Sequence, residues 1–474
     1  MSVDSSEDRG GDTSMRTGFF AGRSMARLAH DLRERRLSSP ELVEAALASI
    51  DTLNPHLNAF VVVDADGARA AALRADAELR QGTDRGPLHG MPVAIKDIID
   101  VEGMPTTQGS SLYAGHVASR DAACVRQLRE AGAIVIGKTT LHEFAYGATG
   151  DRSAHGAARN PWSPTRMSGG SSGGSAVAVA SGMVPLALGT DTAGSVRVPA
   201  ALCGVVGLKP AYDAISSEGV FPLAKSLDHV GLFTRTAEDC ELAYACLARH
   251  DASGAQASGA LGSAESPGVG RIGWLLPSVL AETDHRIEQA TRACVARTGS
   301  PVQDVDLAAH VPQVRDLFEV FSVLQGSEAF AAHVEDVARA GQAIDAEVLA
   351  RLRRGEGLAA WQYIRALEQR AAYGPHVAAL LTRHDVLALP TVPMTAPAVG
   401  ERSPHINGVA VEVRAALLSL TSPWNLVSLP AISVPAGTLE GLPIAVQLVS
   451  APGKEALLFK LAQAVERSAS EGVF

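Results

Sequence analysis

Residues 168–210 read SGGSSGGSAVAVASGMVPLALGTDTAGSVRVPAALCGVVGLKP, and nearly every side chain in them is small or apolar. Glycine and serine recur where a backbone turns sharply or passes close to another group. The middle of the stretch, AVAVASGMVPLAL, fits a buried helix followed by a strand. Two serines flank that unit, Ser171 in SGGSSGG and Ser195 in GTDTAGSVR. Small neighbours leave room for a carbonyl to approach a hydroxyl. The stretch therefore reads as a serine nucleophile, a neighbour in proton transfer and an oxyanion hole.

Working outward, strands and helices alternate on both sides. A helix begins near Ser24, and a second follows Ser39-Pro40, with Ser39 as its N-cap, and ends at Asn54-Pro55. A short strand at 59–63 and a helix at 67–80 come next. Met91–Asp100, MPVAIKDIID, is a strand-like run with Lys96 in its middle. Lysine is rare in a buried strand unless it is paired or functional; an edge strand turning Lys96 to solvent is the plain alternative. A helix at 121–132 leads into a strand at 133–136, and a further helix covers 236–248. Strands at 271–276 and 386–389 bracket a helical region, 284–381, and the chain closes with two strands joined by a glycine-containing turn and a helix. This alternation predicts an α/β class.

Composition narrows the function. Of the 474 residues, 46% are hydrophobic but only 4% aromatic, so Ala, Val and Leu must build the core. A net charge of −10 argues against nucleic acid, which a basic stripe would bind. Five scattered cysteines without metal-ligand spacing suggest free thiols in a reducing compartment. The N-terminal residues lack the apolar core of a secretory signal, and the longest apolar run, 176–188, is too short to span a bilayer. A cytoplasmic protein with no membrane partner is expected.

Two motif matches are rejected on context. Gly132–Thr139, GAIVIGKT, matches the phosphate-loop pattern, but its intervening Ala, Ile, Val and Ile belong inside a strand, not in a loop of exposed amides. G-x-S-x-G occurs around Ser171 and Ser172, yet a nucleophile elbow needs an apolar strand directly before it, and NPWSPTRM carries two prolines there.

Lys and Ser together offer another chemistry. A buried lysine loses its proton readily and can serve as the base that activates a serine. The turn GTDTAGS presents the amides of Thr192, Ala193, Gly194 and Ser195, which can converge on one oxyanion. MPVAIKD, SGGSSGGSA, GTDTAGSVRVPAALCGVVGLKP and SLDHVG, followed by LPAISVP and GLPIAVQLV, resemble the amidase signature family over most of residues 24–470.

The resemblance implies one large domain, residues 21–474, with a mixed, mostly parallel β-sheet sandwiched between α-helices. Its motif core is 90–231, residues 1–20 are a disordered tail, and 251–268 form a flexible loop. It implies a Ser–cis-Ser–Lys triad: Ser195 as nucleophile, Ser171 in a cis peptide after Gly170, and neutral Lys96. Ser172, Asp191 and Arg197 would support the turn, with Asp228 structural and His142 and Tyr146 either near the substrate or in a packing role. Many relatives have two glycines before the nucleophile where this chain has Ala193-Gly194. The implied activity is hydrolysis of a C–N acyl bond in an amide, aryl amide, carbamate or ester through an acyl-enzyme, without metal or cofactor. The expected partners are a small-molecule substrate and water, the expected state a monomer or homodimer. The alternative is one component of a glutamine-dependent amidotransferase, acting with partner subunits in Glu-tRNA amidation. Phe318, Phe321, Phe330 and Trp361 either line the substrate pocket or belong to the core.

Overall fold

The computed structural model describes residues 17–248 and 270–471. Eleven strands form one sheet: β1 (Phe60–Val63), β2 (Pro92–Lys96), β3 (Ile134–Thr139), β4 (Leu186–Asp191), β5 (Val206–Lys209), β6 (His229–Thr234), β7 (Ile272–Leu275), β8 (Val302–Val305), β9 (Val386–Pro390), then β12 (Ala431–Leu439) and β13 (Leu442–Val449). A separate ribbon pairs β10 (His405–Ile406) with β11 (Val409–Ala410). The sheet order is β1-β3-β2-β4-β6-β5-β12-β13-β9-β7-β8. Parallel pairing occupies the two flanks, β3–β2–β4 and β9–β7–β8, where long crossovers carry the helices. The centre is antiparallel. One central pair, β12–β13, is a hairpin whose turn, Glu440-Gly441, has φ of 54° and 77°, the left-handed geometry that matches strand twist.

Helices cover both faces, because the strands are apolar on both. In β4, Leu186 and Leu188 enter one core cluster and Ala187 the other; in β2, Val93 and Ile95 oppose Ala94 in the same way. The expected α/β sandwich in one large domain is what the chain forms. Lys96 shares the Ala94 face, where the helix Gly173–Ala180 packs against β4. That helix can approach only because its residues are small. A Cβ on Gly174 would collide with the Ala59 carbonyl and the Thr140 backbone.

Three sequence expectations change in detail. Residues 1–16 and the loop at 251–268 lie outside the described residues, but Gly18 and Phe20 do not: their amides bond to the carbonyls of Ser181 and Gly182, and Phe20 is fully buried. Packing thus begins before residue 21. The second helix spans Ser39–Leu57 and is capped by Ser38, whose hydroxyl accepts from the Glu41 amide while Glu41 accepts from the Ser38 amide at 2.7 Å. Ser39 is instead spent on tertiary structure, donating to the Gly90 carbonyl at 3.0 Å just before β2. Pro55 sits within the last turn, and the helix ends at Asn58 in the left-handed region.

Candidate active site

Lys96 ends β2, between β3 and β4, and is fully buried, so the edge-strand alternative is excluded. Its Nζ lies 2.7 Å from Ser171 Oγ and 2.7 Å from Thr190 Oγ1. Both neighbours are hydroxyls. Burial pulls the Lys96 ammonium down to about 7, against the opposing pull of the Asp228 and Asp191 carboxylates. At neutral pH a large share of Lys96 is therefore a free amine.

Ser171 reaches Lys96 from the turn between Met167 and the helix Gly173–Ala180. The Gly170-Ser171 peptide is cis. Crowding explains the glycine: a Cβ on Gly170 would press on the backbone of Gly147 and Gly150. Two backbone bonds hold the turn, from His142 N to the Ser171 carbonyl at 3.0 Å and from Ser172 N to the Ser195 carbonyl at 3.2 Å. The second places the two serine-bearing turns side by side. Ser172 also donates through Oγ to the Thr190 carbonyl at 3.1 Å and accepts from the Thr190 amide at 3.3 Å. The Ser172 hydroxyl thus ties this turn to the end of β4.

The Ser195 turn is braced by a buried ion pair. Arg197 and Asp191 are both fully buried, with Arg197 Nη2 2.8 Å from Asp191 Oδ1 and Nε 3.0 Å from Oδ2. The guanidinium also donates to the Thr421 carbonyl at 2.9 Å, Gln447 Oε1 at 2.6 Å and Asn425 Oδ1 at 2.6 Å. Asp191 also accepts from the Val196 amide at 3.1 Å and from Asn425 Nδ2. These donors overcome burial and hold Asp191 well below the usual carboxylate range. Gly194, at φ 140°, has no room for a Cβ beside the Thr421 hydroxyl, which itself donates to the Ala193 carbonyl at 2.5 Å. Among the described residues the amides of Ala193, Gly194 and Ser195 donate to no protein acceptor, and Ser195 is 5% exposed.

Four positions did not stand out in the sequence as parts of this site: Thr190, Thr421, Asn425 and Gln447. Each is a common polar residue, and only the fold carries the last three next to residues more than 200 positions away. Asp228, read as structural, pins the same turn: it accepts from Thr192 Oγ1 at 2.6 Å and from the amides of Leu223 and Ala224 at 2.9 and 3.0 Å, and burial pushes its carboxyl up to about 7. The rejected phosphate-loop match lies in β3, where Lys138 is buried 3.2 Å from Asp97. Of the four aromatics, Phe318 and Phe321 pack against each other with ring centroids 5.8 Å apart. Phe321 is fully buried in the cluster that contains Ala193, whereas Trp361 is 63% exposed.

An α/β sheet that carries a buried lysine against a serine on a cis peptide, next to a second serine on a small-residue turn, defines a class of amide-handling enzymes. The chain belongs to the amidase family, whose profile, Amidase, matches residues 41–459. It is 37% identical over 467 residues to a subunit of the glutamyl-tRNA(Gln) amidotransferase of Anaeromyxobacter dehalogenans, covering 91% of this chain and 93% of that one. Curated relatives from Symbiobacterium thermophilum and Chloroflexus aurantiacus carry the same name. Among solved structures it resembles a protein described as an amidase, with TM-score 0.86 and 32% identity over 94% of this chain and 99% of that one. It also resembles the peptide amidase of Stenotrophomonas maltophilia, with TM-score 0.79 and 29% identity over 95% and 98%.

These relatives overturn one expectation. A self-sufficient monomer or homodimer that meets only small molecules, with nucleic acid excluded, does not stand beside relatives that are subunits of an enzyme named for a tRNA. The exclusion rested on net charge, which averages over the whole surface. It is blind to a second protein that would itself meet the nucleic acid. No described helix is long and apolar enough to cross a membrane.

Proposed function

We propose that the chain cleaves the C–N bond of a carboxamide through an acyl-enzyme on Ser195. The observation that carries this reading is the 2.7 Å contact between Lys96 Nζ and Ser171 Oγ, made by a lysine whose burial keeps its amine available near neutral pH. Ser195 Oγ attacks the carbonyl carbon and gives its proton to Ser171, which passes its own proton to Lys96. The oxyanion is held by the unengaged amides of the turn at 192–195, where the Thr192 hydroxyl also bonds Asp228. On collapse the proton returns from Lys96 through Ser171 to the departing nitrogen, so ammonia or an amine leaves neutral. A water or another nucleophile then uses the same relay to release the acyl group. Asp191, Arg197, Gly170 and Ser172 hold the two turns in register. Labelling by a fluorophosphonate tests the assignment: the adduct is expected on Ser195 and is lost in Ser195→Ala, and labelling elsewhere at full rate would remove Ser195 from the mechanism.

For the fate of the nitrogen, the curated relatives favour the amidotransferase reading: glutamine as the amide donor and partner proteins that take up the ammonia. The solved structures described as an amidase and a peptide amidase support release into water by the same fold. Co-expression with candidate partners separates the two. Glutaminase activity that rises when a partner co-purifies supports the amidotransferase reading, while full amide turnover by the isolated chain supports hydrolysis.

A further inference from the structure

A void of about 10 Å³, room for one water, reaches Thr190, the second neighbour of Lys96. Thr190, Thr192, Ser217 and Asp228 give it polar walls, and Phe221 and Val230 stand among the apolar ones. Ser217 is exposed, so water has a way in.

The protons at Lys96 do not balance without a further acceptor. A neutral amine has two N–H groups and one lone pair, and the two atoms 2.7 Å from Nζ, Ser171 Oγ and Thr190 Oγ1, are both hydroxyl oxygens. The lone pair can accept from only one of them. If Thr190 donates to it, Ser171 must accept an N–H from Lys96, and the relay from Ser195 has no base at its end. If Ser171 donates to it, Thr190 must accept the N–H, and the Thr190 proton has to go elsewhere. Among the described residues the Thr190 hydroxyl has no partner besides Lys96.

Asp228 supplies the missing acceptor across the void. Among the described residues its carboxylate accepts from Thr192 Oγ1 at 2.6 Å and from the amides of Leu223 and Ala224 at 2.9 and 3.0 Å. Two carboxylate oxygens offer about four lone-pair sites, so one is left. Thr190 is not among the donors to Asp228, and the space between them is that of one water. A buried hydroxyl and a buried carboxylate, each with an unused valence and facing the same void, make a site that a water satisfies and an apolar group does not.

We propose that the void holds one ordered water that accepts from the Thr190 hydroxyl and donates to Asp228, and that this chain keeps the Lys96 lone pair turned to Ser171. Thr190 and Asp228 are then positioning residues for the base. The consequence for catalysis rests on the Ser195 reading; the water site itself does not. A high-resolution crystal structure of the wild-type protein tests the site: a water is expected within about 3.2 Å of both Thr190 Oγ1 and an Asp228 carboxylate oxygen, and a dry void overturns the proposal. Kinetics on an activated anilide test the role. Thr190→Val is expected to lower kcat about tenfold or more with KM within about twofold, and Thr190→Ser to recover most of that loss. If Thr190 instead donated to Lys96, removing its hydroxyl would free the lone pair, and kcat would hold or rise; that result overturns the role, as does a loss that Thr190→Ser fails to recover. Fluorophosphonate labelling that misses Ser195 in protein holding the water would remove the Ser195 chemistry and leave the water site standing.

Discussion

Lys96 and Lys138 stand on neighbouring parallel strands, one register position apart, and both are fully buried. The decisive difference in their surroundings is a carboxylate. Lys138 has the Asp97 carboxylate at 3.2 Å, with the Thr106 hydroxyl at 2.9 Å and the Pro105 carbonyl at 3.0 Å, so its charge is answered where it sits. Lys96 has two hydroxyls at 2.7 Å and, among the described residues, no carboxylate within ion-pair distance. A buried ammonium without a paired anion gives up its proton; one with a paired anion keeps it. Adjacent residues of one type are thereby turned to different ends, a base beside Ser171 and a tie between strands.

That contrast can be broken in separate measurements. The largest effects are expected at the reaction centre. Ser195→Ala is expected to lower kcat on an activated anilide by about ten-thousandfold with the circular dichroism spectrum unchanged, and Lys96→Met by about a thousandfold. Because Lys96 has no ion-pair partner, Lys96→Met should leave unfolding free energy within about 1 kcal/mol of wild type, as read by urea titration. Lys138→Met reverses the pattern. It strands the Asp97 carboxylate and is expected to cost about 3–5 kcal/mol, while the folded fraction retains a Lys96-dependent pH profile. If Lys138→Met instead abolished activity in folded protein, the separation of roles would fail.

Gly194→Ala is expected to cost about a hundredfold in kcat, since the new methyl must displace Thr421 from the turn that carries the amides at 193–195. A pH series sharpens the Lys96 side further. kcat/KM should climb about tenfold per pH unit on the acid side and level off above about 7, the pH at which Lys96 becomes the free amine. Asp228 favours the Lys96 ammonium, so Asp228→Asn should move that limb to lower pH; a limb that moves up, or stays in place, contradicts the assignment. The smallest effect belongs to Ala193→Gly, expected to change kcat by less than about threefold, because Ala193 is already packed in the apolar cluster and only its small size matters.

Sequence alone established the α/β class and the two serine-bearing turns, because these follow from local patterns, apolar runs and glycines where side chains cannot fit; it did not mark β5, β6 or β8, the last of which interrupts the region read as helical at 284–381. MPVAIKD, SGGSSGGSA and GTDTAGSVR also marked Lys96, Ser171 and Ser195 through resemblance. The tertiary structure decided what local patterns cannot express. Lys96 stood out in an apolar run while Lys138 lay within a rejected motif match, and only the sheet order and side-chain neighbours separate a base from an ion pair. The Arg197 clasp depends on Thr421, Asn425 and Gln447, more than 200 residues away and individually unremarkable. Electrostatics and hydrogen bonding act over a few ångströms in space and are indifferent to separation along the chain; that is why the motif residues were legible in the sequence, and the contacts that brace them were not.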